Sequence, residues 1–148
     1  MNGNQEHPHA DDPQRSPLRV IDRLVSAIND HDLDALTACF ADDYVNITPA
    51  HPARSFTGVD QVRQNWRTIF ESLPDIQTSV VSAAIDGQVV WTEWEHRGTG
   101  RDGSAKLLRG VVIFTVGTEA ITGARFFLEP VDDDARGVTA ALTHQLDR

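Results

Sequence analysis

The apolar residues of this chain change their spacing once, near Ile76, and that change limits the folds open to it. Before it, Ile21, Leu24, Val25 and Ile28 fall at i, i+3, i+4 and i+7, one stripe of a helix. Ser16-Pro17 opens that helix with a capping residue and a proline at the first helical position. Asp30-His31-Asp32 interrupts the stripe, and Leu33, Leu36 and Phe40 predict a second, short helix. A strand is expected over 43–48. The loop over 49–57 carries His51-Pro52 and leads into Thr57-Gly58-Val59-Asp60, a capping-box pattern. Val59, Val62, Trp66, Ile69, Phe70 and Leu73 mark a third helix, closed by Pro74. From Ile76 onward the residues are rich in Val, Ile, Thr and aromatics at the period of strands, which are placed near 76–85, 88–97, 105–116 and 120–130. Asp86-Gly87, the segment from Gly98 to Gly103, and Gly117-Thr118 are the turns between them. Helices first and an antiparallel meander last make the class α+β, with the helices covering one face of a curved sheet.

At 148 residues the chain suits one domain, since two ordinary cores would each want on the order of 100 residues. Residues 1–16 are polar, hold Pro8 and Pro13 beside Asp11 and Asp12, and are expected to form a flexible tail. The domain proper is assigned to 17–131. Residues 132–148 start with Asp132-Asp133-Asp134 and are read as an acidic segment with a short helix around Val138 to Leu146. No internal repeat is found.

Charge and cysteine usage remove several classes of function. With 22 acidic against 13 basic residues the net charge is −9, a field that repels a phosphate backbone and an anionic membrane surface. Neither nucleic acid nor membrane is therefore expected as a partner. Cys39 is the only cysteine, so this chain alone has no disulfide and no multi-thiolate metal site, and a buried inert thiol is the reading. His7 and His9 lack a third ligand and are read as solvated. No stretch approaches the length of a transmembrane helix and the N-terminus has no apolar core of a signal peptide, so a soluble cytoplasmic protein is expected. Gly98-Thr99-Gly100-Arg101-Asp102-Gly103 matches the glycine pattern of dinucleotide sites, but a strand-like segment follows where the pyrophosphate would need a helix N-terminus. It is read as a hairpin loop. Asn46-Ile47-Thr48 is a glycosylation sequon without a secretory route. No nucleophile elbow, Walker loop or H-E-x-x-H motif occurs, and neither a metal nor a cofactor is expected.

The element order, with His31-Asp32-Leu33-Asp34-Ala35-Leu36 running into Phe40-Ala41-Asp42-Asp43, resembles the cone-shaped α+β fold shared by nuclear transport factor 2, ketosteroid isomerase and the SnoaL-like polyketide cyclases. Trp91-Thr92-Glu93-Trp94-Glu95-His96-Arg97-Gly98 and Arg125-Phe126-Phe127-Leu128-Glu129-Pro130 are similar to the last strands of the SnoaL-like group. The resemblance implies a cone-shaped barrel, a curved antiparallel sheet wrapped around N-terminal helices. Carried across without gaps, the isomerases' phenol donor falls on Leu24, their carboxylate base on Thr48 and their protonated acid near Gly110. The cyclases' aspartate falls on Phe126, and the Arg and Asp of limonene epoxide hydrolases fall near Trp94 and His96. None of these catalytic sets is intact. The scaffold hosts enzymes and binding modules alike.

The same matches imply which strand residues point into the cone: Tyr44, Asn46 and Thr48 on the first strand, Thr92, Trp94 and His96 on a central one, and Ala124, Phe126 and Leu128 on the last. Alternation then sends Trp91, Glu93, Glu95, Arg97, Arg109, Arg125, Phe127 and Glu129 to the outer face, where acids and arginines read as cross-strand ion pairs. The expected pocket holds Tyr44, Asn46, Thr48, Trp66, Trp94, His96 and Phe126, with His51 near its mouth, and suits a flat, mostly apolar or aromatic small molecule. His96, expected to titrate near neutrality, is the candidate acid or base; Tyr44 would donate to a developing oxyanion and Asn46 would hold a carbonyl or water. The competing reading makes His96 a satisfied core histidine and Trp94 plain core. Two functions follow: a cofactor-independent enzyme of cyclase, isomerase or epoxide-opening type, or a non-catalytic ligand-binding or dimerisation module. An inward carboxylate would separate them, with Glu93, Glu95 and Glu129 as the candidates. A homodimer through Trp91, Val111, Ile113 and Phe127 is expected, because those residues would otherwise form an exposed apolar patch.

Overall fold

The computed structural model describes residues 16–147, so the expected tail lies outside the described residues except for Ser16. Helix α1 (Ser16–Asn29) and helix α2 (Leu33–Ala38) meet at the Asp30-His31-Asp32 corner. The Asp32 side chain caps α2, accepting from the Ala35 N–H at 3.0 Å. His31 adopts a left-handed φ of 54°, and its Nε2 lies 2.8 Å from the Ile76 carbonyl oxygen while the ring stacks on Phe70 at 5.0 Å. The corner thus ties the helices to the start of the meander. Asn29 continues that tie: its side chain donates to the Thr78 carbonyl at 3.0 Å and accepts from the Thr78 N–H at 2.7 Å.

Strand β1 (Phe40–Ile47) follows, then a 3-10 turn (Pro52–Arg54), a two-residue strand β2 (Phe56–Thr57) and helix α3 (Val59–Ser72). Strands β3 (Gln77–Asp86), β4 (Val89–Thr99), β5 (Ala105–Val116) and β6 (Ile121–Pro130) form the expected meander, and α4 (Val138–Leu146) ends the described chain. Phe40 starts β1 rather than closing α2, and β2 lies where a loop was expected. The capping box is absent: Gly58, at φ 103°, is the cap of α3 without a side-chain bond. Thr57 is instead held in the ladder opposite Val45, and the Gly58 N–H donates to the Tyr44 carbonyl at 2.7 Å. The glycine-rich segment is a hairpin loop, with the Gly100 N–H donating to the Ser104 carbonyl at 2.8 Å.

The six strands run in the order β2-β1-β6-β5-β4-β3 in one curved sheet that does not close. The meander pairs are antiparallel as expected, as is β1 with β2, while β1 and β6 pair in parallel. The chain leaves β1 through α3, enters the meander at its far edge, and four antiparallel strands later returns beside β1 in the same direction. Val20, Ile21, Leu24 and Ile28 of α1 pack with Leu36, Tyr44, Val90, Val112, Phe114 and Ile121 as the core on the concave side.

Candidate functional site

A cavity of about 330 Å³ opens on the concave side between β1, β4, β6, α3 and the 3-10 turn. The parity expected from sequence holds for its floor. Tyr44, Asn46, Thr92, Trp94 and His96 are buried, whereas Val45 and Glu93 between them are exposed. Val62, Asn65, Trp66 and Ile69, one face of α3 at i, i+3, i+4 and i+7, form the opposite wall, and Phe56, Leu108, Phe126 and Leu128 complete the apolar lining.

The polar groups are few and ordered. Alternate residues of β1 and the first residue past its end form a chain: the Tyr44 hydroxyl donates to Asn46 Oδ1 at 2.8 Å, and Asn46 Nδ2 donates to Thr48 Oγ1 at 3.3 Å. Burial pushes the Tyr44 phenol up, so it stays protonated and remains a donor. Its proton is engaged by Asn46, and at the end of the chain the Thr48 hydroxyl, which accepts from Asn46, keeps its own proton to donate. His96 sits between Trp66, at 5.9 Å edge-on, and Trp94, at 5.5 Å. Its Nδ1 is buried without a hydrogen-bond partner among the described residues. Burial pushes His96 down to about 4, which corrects the expectation that it titrates near neutrality: the ring is neutral at pH 7.

Of the expected site residues, Tyr44, Asn46, Thr48, Trp66, His96 and Phe126 line the cavity together. Trp94 does not. It is 2% exposed, lies beneath His96, and donates from its indole N–H to Thr92 Oγ1 at 2.6 Å, which makes it core. His51 is outside the lining as well, but its Nε2 is 2.8 Å from Glu129 Oε1, and Glu129 does line the cavity. Glu129 thus reaches the rim of the cavity from a ladder position opposite Arg109, on the parity expected for the outer face. It stands one residue before the end of β6, where the loop after β1 folds over the sheet and offers it His51. The expected ion pairs form elsewhere: Glu95 on β4 holds Arg97 at 2.6 Å and Arg109 at 2.9 Å. Those hydrogen bonds, Arg109's first, keep its carboxyl below the usual range.

Arg54 and Asn65 also line the cavity and were missed from sequence. Asn65 had a signal, a polar residue on the apolar stripe of α3. Arg54 had none, because a loop residue has no period to place it. Near Gly110 the isomerases' acid has no room: at φ 154°, a Cβ there would meet the Phe127 carbonyl oxygen at 2.1 Å. Among the described residues no three His, Cys, Asp or Glu side chains are grouped to hold a metal ion, and no helix is long and apolar enough to cross a membrane.

The sequence model of the SnoaL-like domain matches residues 21–124. No curated protein matches the chain. Among solved structures, an LEH-like epoxide hydrolase from M. tuberculosis is similar at 17% identity and a TM-score of 0.67, covering 90% of this chain and 94% of that one. A proposed polyketide cyclase from Xanthomonas campestris aligns at 18% identity and a TM-score of 0.67, covering 77% and 92%. A proposed ketosteroid isomerase from Kribbella flavida aligns at 17% identity and a TM-score of 0.66, covering 84% and 85%. At these identities the likeness is one of fold.

Proposed function

This chain belongs to the SnoaL-like domain family, and from that premise we propose that its cone houses a cofactor-independent enzyme acting by acid–base chemistry on a flat, largely apolar small molecule. The reaction class is cyclisation, isomerisation or epoxide opening. The observation that carries this reading is the cavity itself, an aromatic and aliphatic pocket with convergent polar groups within the size range of small-molecule sites. Trp66 and Phe126 provide surface for a planar ligand, and the Tyr44–Asn46–Thr48 chain aligns donors toward a carbonyl or epoxide oxygen. His96, neutral and with an unmatched nitrogen, is a polar contact in the floor. A cytoplasmic homodimer belongs to the same reading, the dimer supported by the exposed Trp91 and Phe127 on the outer sheet face. The rival reading, a binding module, draws on the empty carried-over positions at Leu24, Thr48, Gly110 and Phe126.

Titration with planar aromatic ligands, followed by the tryptophan fluorescence of wild type against Trp66→Phe, tests the pocket; a panel of epoxides, enones and poly-β-ketones tests the chemistry. Binding with turnover of one class is the expected result. Binding with no turnover across the panel favours the binding module, and no binding at all removes the pocket as the functional site.

A further inference from the structure

Resting on that reading of the cone, we propose that Glu129 is the group that takes up and returns the proton there, and that His51 is the residue that positions it. Glu129 is the one carboxylate among the residues lining the cavity. Its Oε1 accepts from His51 Nε2 at 2.8 Å across 78 residues of sequence, and Oε2 has no partner among the described residues. His51 is itself built in place. Its N–H donates to the carbonyl of Thr48 at 3.0 Å and its carbonyl accepts from Arg54 N–H at 2.9 Å, so the ring is anchored between two residues that line the cavity. A half-exposed hydrogen bond of this kind adds little to stability. What it does is hold a carboxylate in one orientation at the rim of an aromatic pocket.

The other charged groups near Glu129 leave it free for this task. Arg109 lies opposite it in the ladder, but its guanidinium is engaged by Glu95. Arg54, on the 3-10 turn, lines the same cavity and forms no ion pair among the described residues, so it is available to a substrate oxyanion. Tyr44 keeps its phenolic proton, which it donates to Asn46, and His96 sits at the floor among tryptophans with its Nδ1 sealed from solvent. For a carbon acid, the C–H bond breaks, its proton goes to the Glu129 carboxylate, and its electron pair becomes the enolate π bond. The same proton is then delivered to the product, and His51 keeps its own proton throughout.

The probe is 5-nitrobenzisoxazole, a planar carbon acid. A base removes its C–H proton, the electron pair forms the nitrile, the N–O bond breaks, and a coloured cyanophenolate leaves; the proton then passes from Glu129 to water. The full chain should accelerate this elimination above an equal concentration of acetate, with an acid limb in the pH–rate profile. Glu129→Gln should lower kcat by roughly 10²-fold or more, abolish the acid limb, and leave KM nearly unchanged. His51→Ala should lower kcat about tenfold, with His51→Gln recovering most of it because an N–H donor is restored. Glu93→Gln, on the outer face, is the control and should match wild type. A wild-type rate in Glu129→Gln, or probe binding seen by calorimetry with no acceleration, overturns the assignment while the pocket stands. Absence of both binding and acceleration overturns the pocket with it.

Discussion

A histidine can be aimed into a cavity and still be the wrong group to move protons near neutrality, and His96 shows why. Burial among Trp66 and Trp94 penalises its charged form and brings it from the usual 6.5 down to about 4. Between those values the unfolded chain binds the proton and the folded one does not, so stability is lost as pH falls from 6.5 towards 4. At about 1.4 kcal/mol per unit the loss by pH 4.5 should be roughly 2 to 3 kcal/mol. Urea unfolding of wild type and His96→Phe at both ends of that window checks it; an equal loss in the variant would assign the pH dependence elsewhere. Asp75, held low by its bond from the Thr99 N–H, and Glu95 act in the same direction only at lower pH. The two tryptophans should separate as well. Trp94→Ala should destabilise the fold by roughly 3 to 5 kcal/mol, as a fully buried aromatic does. Trp66→Ala should cost about tenfold in affinity for an aromatic ligand with a smaller loss of stability, which calorimetry and denaturation distinguish.

Two short features decide how the elements meet. Gly110 lets β5 approach β6 where a side chain cannot go, because the Phe127 carbonyl and Leu128 Cα occupy the place of a Cβ. Gly110→Ala should therefore cost roughly 2 to 4 kcal/mol, read as a fall in the urea midpoint; a loss below about 1 would mean that the strands re-space without penalty. The second is the Asp30-His31-Asp32 corner, whose meaning in sequence was only an interruption of a stripe. In the fold it is a junction: Asp32 caps one helix while His31 binds the carbonyl that precedes β3. Such a role is not legible from periodicity, since the partner is 45 residues away. Helix and strand order was legible, because each element buries one face and its spacing records that face.

For the whole molecule, the outer face of the sheet is the feature that a monomer leaves unexplained. Trp91 is 49% exposed and Phe127 40%, with the half-buried Ile113 opposite Trp91 and Val111 opposite Phe127 in the ladder. The expected dimer would cover them, and sedimentation at micromolar concentration should give twice 16.3 kDa, falling to one copy in Trp91→Glu/Phe127→Glu. A wild-type monomer would remove this interface. Apolar spacing alone was enough for the class and the element order, whereas the inward parity of β1, β4 and β6 came from the family resemblance; a period of two leaves a strand only two ways to face, and burial agrees with the one implied. Tertiary structure alone decided the parallel pairing of β1 with β6, the exclusion of Trp94 from the cavity, the neutrality of His96 and the meeting of His51 with Glu129. Each of these depends on distances between residues far apart in the chain, and on the depth of burial that those distances create. Alternation along a strand records which way a side chain points, but neither how deep the cavity runs nor which loop folds over its rim.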